Sequence, residues 1–393
     1  MKRILCLLLV FALLGGLTVS VSASPVGFRV DAKAALLLDL NTGQTIYEQD
    51  ADEVLYPASL TKIMTAILAI ERGDLSDVVT ASDEALTGLD PDGTTVWLTA
   101  GEKMPLEDLL YCMLLASAND ACNVVAEYIA GSVSEFVDMM NEKAAELGCT
   151  NTHFNNTNGL PDEDHYTSAR DLAIITQYAI QNPTFWEICT TTAYTVAATN
   201  VFDARMLVTT NSMTTTYKYY YYYDPRIQGV KTGFTDAAGR CLVSACRRQA
   251  RTLICVTLND RNDWADHSAL YDYGFAGASD YEVPLPEQVC VQVEGGDVQE
   301  VRGYIREPPK LTAWYGVPPE YTVTAEIPPF LLAPVERGAE IGALIWRNGP
   351  VEIARTPLYA AKSVQVPDDT VQDSWFVRTI QRIRCMFNRL QPV

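Results

Sequence analysis

The sequence Pro57-Ala58-Ser59-Leu60-Thr61-Lys62-Ile63-Met64 places a serine and a lysine three residues apart at the start of a helical pattern. Residues i and i+3 lie on one side of a helix, so the Ser59 hydroxyl and the Lys62 amine are expected to converge. Gly73 is the predicted end of this helix. Apolar side chains follow at the spacing of one buried helix face: Leu60, Ile63, Met64, Ile67 and Leu68.

This serine and lysine have the chemistry of a nucleophile and its base. Ser59 lies at the amino end of the helix, where unpaired N–H groups and the helix dipole favour developing negative charge. A lysine held in a partly dry site can have its pKa lowered enough to take the serine proton. The pattern S-x-x-K also recurs by chance, and the alternative is a helix N-cap serine followed by a surface lysine.

Length and composition indicate a folded protein with two domains, or with one large domain plus appendages. The chain has 393 residues, 48% of them hydrophobic, so a sizeable core is expected. The net charge of −20 argues against nucleic acid as a partner.

The amino terminus is typical of an export signal. Lys2 and Arg3 precede an apolar run from Ile4 to Leu14, which is too short for a comfortable membrane span. Small residues at Val21-Ser22-Ala23 suit a signal peptidase, so residues 1–23 are the predicted signal peptide. An uncleaved membrane anchor is the alternative.

Ten cysteines in an exported chain would normally suggest disulfides. Cys6 leaves with the signal, and the nine that remain are an odd number. We predict free, buried thiols, because most of these cysteines lie in apolar runs. The cysteines in such runs are Cys112, Cys122, Cys241, Cys246 and Cys255. No C-x-x-C pair suggests a metal site.

The residue pattern predicts an α+β arrangement, in which helical clusters flank an antiparallel sheet. Ser132-x-x-Glu135 has the form of a capping box, and Thr167 or Ser168 is the expected cap of a later helix. The tyrosine run Tyr219 to Tyr223 is predicted to be a hairpin strand and its tip, with an aromatic substrate face as the alternative. The predicted strands are 34–40, 44–47, 241–245 and 253–258, and the predicted helices are 105–115, 121–129, 133–148, 168–180 and 263–273.

The composition changes after Gly277, where prolines and alternating residues dominate. This predicts a small all-β domain over 281–366, following a larger domain over 24–277. From Ser374 onward, apolar and aromatic residues are interleaved with arginines at helical spacing. A basic amphipathic helix over 368–393 is typical of an anchor on an anionic membrane surface, and a helix docked on its own protein is the alternative.

Three short motifs occur in order along the chain: Ser59-x-x-Lys62, Ser117-Ala118-Asn119 and Lys231-Thr232-Gly233. Motifs of this kind occur together in penicillin-binding proteins and class A β-lactamases. The stretches around Ser117, Asn158, His165 and Lys231 also look like signatures of serine-type D-alanyl-D-alanine carboxypeptidases, the low-molecular-mass penicillin-binding proteins (peptidase family S11-like). The resemblance implies a β-lactamase/transpeptidase-like catalytic domain over 24–277, followed by the β domain and the amphipathic helix. It also implies a role in cell-wall maturation at the outer face of the cytoplasmic membrane or in the cell wall.

The resemblance implies a role for each motif residue in cleaving a stem peptide that ends in D-Ala-D-Ala. Ser59 would attack the carbonyl and form an acyl-enzyme, with Lys62 as base and Ser117 as proton relay to the leaving amine. The remaining roles are substrate binding, and the residues that take them are Asn119, Lys231, Thr232, Gly233 and Phe234. By resemblance, the backbone N–H groups of Ser59 and Phe234 form the oxyanion hole. β-Lactam antibiotics are expected to acylate the same serine, and no metal or organic cofactor is required.

Two departures from the family pattern are visible. Ala118 replaces the glycine or aspartate that many relatives carry, which should be tolerated because the flanking side chains do the chemistry. An arginine is often found just before the last helix of the catalytic domain, where this chain has Asp263, with Arg261 two residues away. The arginine that would assist the substrate carboxylate is therefore left open.

Other classes fit the sequence less well. A class A β-lactamase needs a glutamate to activate the deacylating water, usually in an E-x-x-L-N loop, and none is found. A Ser-His-Asp hydrolase is disfavoured because the chain has three histidines and no G-x-S-x-G motif. For His165 a structural hydrogen bond is the better explanation. A wall-binding scaffold with a degenerate site is the non-enzymatic alternative.

The predicted anchor can be tested by truncation. Removing residues 368–393 is expected to leave the activity intact and to release the protein from membranes, because only the amphipathic helix would hold it there. Membrane sedimentation and D-alanine release, measured side by side, check both parts. A truncated protein that still sediments with membranes would contradict the anchor.

Overall fold

The structure is a computed structural model, and it describes residues 28–91, 93–216, 220–248, 251–286 and 288–367. The predicted signal peptide and the predicted anchor helix lie outside these residues. Within them, no helix combines the length and the apolar character needed to cross a bilayer.

A five-stranded antiparallel sheet forms the centre of the larger domain. Its strands are β1 (Ala34–Asp39), β2 (Thr45–Gln49), β7 (Ile227–Thr235), β8 (Gly239–Arg248) and β9 (Arg251–Leu258). Their order across the sheet is β2-β1-β9-β8-β7, so β7 is an edge strand. The sheet confirms the strands predicted at 34–40, 44–47, 241–245 and 253–258.

Both faces of this sheet are covered, which explains the continuous apolar run of β1. Leu36 and Leu38 pack into the core beneath one group of helices, whereas Ala35 and Leu37 belong to a second core on the other face. A strand buried on both faces loses the polar–apolar alternation of a half-exposed strand.

Among the described residues, six helices pack on one face of the sheet and one on the other. The single helix is α7 (Asp263–Ala276), which contacts β8 and β9. The six are α1 (Lys62–Arg72), α2 (Leu106–Leu115), α3 (Asn119–Ala130), α4 (Val133–Glu146), α5 (Ala169–Ile180) and α6 (Pro183–Thr190). A 3-10 turn at Ala58–Thr61 precedes α1.

The predicted helix signals are confirmed at the atomic level. The Ser132 hydroxyl accepts from the Glu135 N–H at 3.1 Å, and Ser168 caps α5 in the same way. Gly73 ends α1 as expected. Helix α6 was not predicted, although Asn182 caps it and Pro183 occupies its first turn, which is a recognised start signal.

The strand predicted for the tyrosine run is wrong where the structure describes it. Tyr220–Tyr222 form a 3-10 turn, and Tyr220 is 77% exposed. Consecutive tyrosines present the same side chain to both faces, so they do not favour one strand register. A hairpin does occur earlier in the segment, between the short strands β5 (Ala193–Val196) and β6 (Arg205–Val208). A second short pair joins β3 (Val78–Thr80) and β4 (Lys103–Pro105).

The carboxyl-terminal part is rich in strands, as predicted. One sheet has the order β14-β16-β17-β12-β11-β15, and β10 pairs with β13. Trp346 is fully buried in the core of this domain. The strands are β10 (Ala278–Glu282), β11 (Cys290–Glu294), β12 (Glu300–Tyr304), β13 (Lys310–Trp314), β14 (Thr322–Glu326), β15 (Leu331–Leu332), β16 (Glu340–Asn348) and β17 (Val351–Ala360).

The two domains meet at the turn between β1 and β2. The Trp314 indole N–H donates to the buried Asp39 carboxylate at 3.0 Å. The Asn348 amide donates to the Thr42 carbonyl at 2.9 Å, and the Gln44 amide to the Val317 carbonyl at 3.2 Å. These polar contacts fix the β domain against the central sheet.

The described cysteines are free, as predicted for those in apolar runs. Cys290 is half-buried and the other seven are buried: Cys112, Cys122, Cys149, Cys189, Cys241, Cys246 and Cys255. Cys6 and Cys385 lie outside the described residues.

Candidate active site

The amino end of α1 brings the first motif together. Lys62 Nζ donates to Ser59 Oγ at 2.8 Å, so the i, i+3 convergence expected from the sequence is present. Ser59 is half-buried in the 3-10 turn, whereas Lys62 has no exposed surface. Lys62 is therefore not the surface lysine of the alternative interpretation.

Burial changes the acidity of Lys62. Two further acceptors complete its hydrogen bonds, namely Asn119 Oδ1 at 2.8 Å and the Asn158 carbonyl at 2.7 Å. Desolvation lowers the pKa of Lys62 to about 8, because the dry surroundings disfavour the charged amine. A lysine with this pKa can hold a lone pair toward the Ser59 hydroxyl near neutral pH.

The second motif lies where α2 ends and α3 begins. Ser117 adopts a left-handed backbone with φ +62°, which is unusual for a residue with a side chain. The chain then enters α3 at Asn119, whose N–H donates to the Thr94 carbonyl at 2.7 Å. Ser117 and Asn119 are both largely buried and thus fixed in position.

The third motif lies on the edge strand β7. Lys231 Nζ donates to Ser117 Oγ at 3.0 Å and to the Thr232 carbonyl at 2.9 Å. Burial, together with the nearby charge of Lys62, holds the pKa of Lys231 well below its usual value. Thr232 shares a 2.6 Å hydrogen bond with Thr210, and the Phe234 side chain is 61% exposed.

Gly233 allows β7 to pass close to the serine. A Cβ atom at this position would lie 3.1 Å from the Ser59 backbone nitrogen and 3.2 Å from the Pro57 carbonyl oxygen. The serine N–H and the β7 backbone therefore lie against each other, which is the arrangement that the predicted oxyanion hole requires.

The loop that contains Asn158 packs behind Lys62. Sequence reasoning did not predict that a carbonyl of this loop would bond to the lysine. The Asn158 carbonyl is a Lys62 acceptor, which no side-chain motif could show. Gly159 has φ +92°, and a Cβ there would lie 1.8 Å from the Ala58 carbonyl oxygen. Only glycine permits this approach of the loop to the residue before Ser59.

His165 has the structural hydrogen bonds that the sequence favoured for it. Its Nδ1 accepts from the Asn155 N–H at 2.9 Å, so the proton of the neutral ring is on Nε2, 2.8 Å from Thr61 Oγ1. Thr61 in turn donates to the Ala58 carbonyl at 3.0 Å. Burial lowers the pKa of His165 to about 4, and the uncharged ring thereby supports the turn that carries Ser59.

An arginine lies beside Phe234, although not where the sequence suggested. Arg240 is opposite Phe234 in the β7–β8 register. It donates to both carboxylate oxygens of Asp263, at 3.0 and 2.8 Å, and its guanidinium lies 5.0 Å from the Trp264 ring centre. Arg261 is exposed. Arg240 is brought to this end of β7 by the register of the tight β7–β8 hairpin, which the sequence analysis did not assign.

The structure thus gathers the predicted residues into two hydrogen-bond networks. Lys62 joins Ser59 to Asn119, and Lys231 joins Ser117 to the β7 backbone. The arrangement provides a reachable hydroxyl, a buried amine beside it, a second hydroxyl bonded to a second amine, and a strand edge. These groups can perform acyl transfer with the hydroxyl as nucleophile and the buried amine as its base.

Comparisons with known proteins agree with this geometry. The sequence profile of the D-alanyl-D-alanine carboxypeptidase family (peptidase family S11) matches residues 18–262. The D-alanyl-D-alanine carboxypeptidase DacF of Bacillus subtilis is 31% identical over 387 residues, which cover 93% of this chain and 95% of DacF. DacC of Escherichia coli is 29% identical over 354 residues, which cover 86% of this chain and 85% of that protein.

Solved structures show the same similarity. A peptidoglycan synthesis regulatory factor (PBP3) of Streptococcus pneumoniae has a TM-score of 0.69 and 26% identity, covering 86% of this chain and 100% of that chain. Penicillin-binding protein 5 of Haemophilus influenzae has a TM-score of 0.62 and 26% identity, covering 87% and 100% respectively. The β-lactamase/transpeptidase-like fold is therefore confirmed for the described residues. With a matching profile over more than half of its length and a 31% identical relative over nearly all of it, the chain belongs to the D-alanyl-D-alanine carboxypeptidase family.

Proposed function

We propose that this protein removes the terminal D-alanine from peptidoglycan stem peptides through an acyl-enzyme on Ser59. The serine-type D-Ala-D-Ala carboxypeptidase activity and its place in cell-wall metabolism are those of the family. The observation that supports the catalytic assignment is the 2.8 Å contact between Ser59 Oγ and the buried amine of Lys62, whose pKa is about 8.

The first half-reaction uses both networks. Neutral Lys62 accepts the Ser59 proton as Oγ attacks the carbonyl of the penultimate D-alanine. The oxyanion that forms is placed between the N–H groups of Ser59 and Phe234. When the C–N bond breaks, the leaving amine takes a proton relayed through Ser117, and D-alanine departs.

Binding of the terminal carboxylate gives the reaction its specificity. Lys231 and Thr232 supply an amine and a hydroxyl close to Ser117. Burial and the charge of Lys62 hold the pKa of Lys231 below its usual value, and an incoming carboxylate would favour its protonated form. Arg240 adds a second cation at the Phe234 end of β7, fixed in direction by Asp263.

β-Lactam antibiotics are proposed to acylate Ser59 by the same route. Their carboxylate would take the place of the substrate carboxylate at Lys231 and Thr232. The chain has no E-x-x-L-N loop to activate a water on the acyl-enzyme, so turnover of bound penicillin is expected to be slow.

The first test is D-alanine release from a peptide that ends in D-Ala-D-Ala, with full-length protein and Ser59→Ala. Release by the wild type and loss of about 10³-fold or more in the variant are expected, since the acyl-enzyme needs the hydroxyl. Ser76→Ala is the control, because it removes an exposed serine hydroxyl that bonds to the neighbouring Asp74. If neither the wild type nor Ser59→Ala releases D-alanine, and penicillin labels neither protein, the result would favour a non-enzymatic scaffold protein.

The pH dependence of acylation tests the base. The neutral form of Lys62 is required, so the second-order rate of penicillin acylation should rise with pH through about 8 and level off above it. Below the pKa it should fall about tenfold per pH unit. Stopped-flow acylation between pH 6 and pH 10 measures this. An inflection near pH 6.5, the ordinary value for histidine, would contradict the assignment.

The Arg240 contribution is tested by Arg240→Gln. The KM for a peptide ending in a free D-alanine carboxylate should rise about tenfold, because one charge-assisted contact is lost. The KM for the corresponding carboxamide should change much less. Arg347→Gln removes a comparably exposed arginine from the β domain and is the control. An equal rise for both substrates would show that Arg240 has only a structural role.

A further inference from the structure

Trp97 combines two features that a surface residue rarely has together. Its backbone is in the left-handed region, with φ +62°, which is strained for a bulky side chain. Its side chain is 73% exposed, so burial of the ring does not compensate the strain. Strain of this kind persists only where surrounding structure imposes it, and it is concentrated at functional sites.

The structure that imposes it is the carboxylate of Asp120, the residue after Asn119. Asp120 is 1% exposed and accepts from the N–H groups on both sides of Trp97. The Leu98 N–H donates at 2.9 Å and the Val96 N–H at 3.2 Å. Since Val96 and Leu98 also pack into the core, Trp97 is turned outward. The two hydrogen bonds to Asp120 involve only backbone N–H groups and would turn any side chain outward at this position. They therefore do not explain why residue 97 is a tryptophan.

Three exposed apolar residues lie on the hairpin that Arg205 ties to the segment carrying Trp97, and together with Trp97 they are called the apolar patch here. Arg205 donates to the Val96 carbonyl at 3.0 Å, and its guanidinium lies 3.8 Å from the ring centre of Phe202. Buried Glu102 holds Arg205 at 2.7 Å, which fixes the β5–β6 hairpin to the segment that carries Trp97. The members of this patch are Trp97, Val201, Phe202 and Met206, exposed by 73%, 53%, 40% and 65%.

The segment that carries Trp97 also contacts the proposed active site. The Thr94 carbonyl accepts from the Asn119 N–H, and a Cβ at Gly93 would lie 2.7 Å from the Asn119 side-chain amide. Trp97 follows Thr94 by three residues, a span of at most about 10 Å. An extended substrate covers the same distance with about three residues, which places the patch within reach of the peptide that precedes the scissile bond.

We propose that Trp97, together with Phe202, binds the stem-peptide residues that precede D-Ala-D-Ala. The aliphatic parts of these residues would lie on the indole, while Asp120 acts as a positioning residue beneath it. This inference rests on the proposed function and deepens it, because it assigns a binding site for the part of the substrate that does not react. Such remote contacts bind the substrate and its transition state about equally, so their loss is expected to raise KM more than it lowers kcat.

The test compares two substrates and two kinds of variant in the full-length protein. Relative to wild type, Trp97→Ala should lower kcat/KM for a five-residue peptide ending in D-Ala-D-Ala about tenfold more than for N-acetyl-D-Ala-D-Ala, mainly through KM. Trp97→Phe should recover most of the difference. Phe330→Ala removes a 49% exposed aromatic ring from the β domain and should leave the ratio unchanged. Equal losses on both substrates, or no loss on either, would overturn the proposal.

Binding measurements separate this proposal from the catalytic one. In a Ser59→Ala background, calorimetry should show that Trp97→Ala weakens the five-residue peptide more than the short one. Suppose that Trp97→Ala weakens binding of the five-residue peptide in this way, but the wild type releases no D-alanine. The peptide site would then exist although the catalytic assignment is wrong. The same Kd for the five-residue peptide with and without Trp97 would overturn the peptide site, whatever the turnover.

Discussion

A fully buried ammonium group needs an acceptor for each of its N–H bonds, and the site is organised around this requirement at Lys62. Its three acceptors come from the turn before α1, from the start of α3 and from the loop at Asn158. Three segments that are far apart in the chain are thereby brought to a common point. The same desolvation that makes these contacts necessary lowers the lysine pKa, so the constraint that positions the base also activates it.

The elements around this point were largely predictable, because they depend on local patterns. Helical spacing after Leu60, the caps at Ser132 and Ser168 and the stop at Gly73 are short-range signals that packing did not override. The ordered motifs similarly indicated which side chains would meet. The Asn158 carbonyl and Arg240 could not be found in this way, since a backbone atom carries no residue signature and the Arg240 position depends on strand register. The prediction of a strand for the tyrosine run was wrong because consecutive identical residues carry no hydrophobic periodicity.

Left-handed backbone at residues with side chains recurs close to the site. Ala58 precedes the nucleophile, Ser117 begins the second motif and Trp97 stands on the segment beside Asn119, with φ of 49°, 62° and 62°. Each is held by hydrogen bonds to its surroundings: the Thr61 hydroxyl bonds to the Ala58 carbonyl, Lys231 bonds to Ser117, and the N–H groups on both sides of Trp97 bond to Asp120. Such strain costs about 1–3 kcal/mol per residue, and the surrounding core has to supply it. The geometry of the site is therefore a property of the whole domain.

The buried thiols have a consequence for how this protein behaves in an oxidising medium. Burial raises the pKa to about 12 at Cys122, Cys149, Cys241 and Cys246, so almost no thiolate, the form that reacts with oxidants, exists while the domain is folded. Unfolding would expose the seven buried thiols together, with no native pairing to guide them. In an oxidising medium each excursion to the unfolded state would then be trapped by scrambled disulfides. In such a medium the working lifetime of the enzyme would be set by its rate of unfolding rather than by its equilibrium stability.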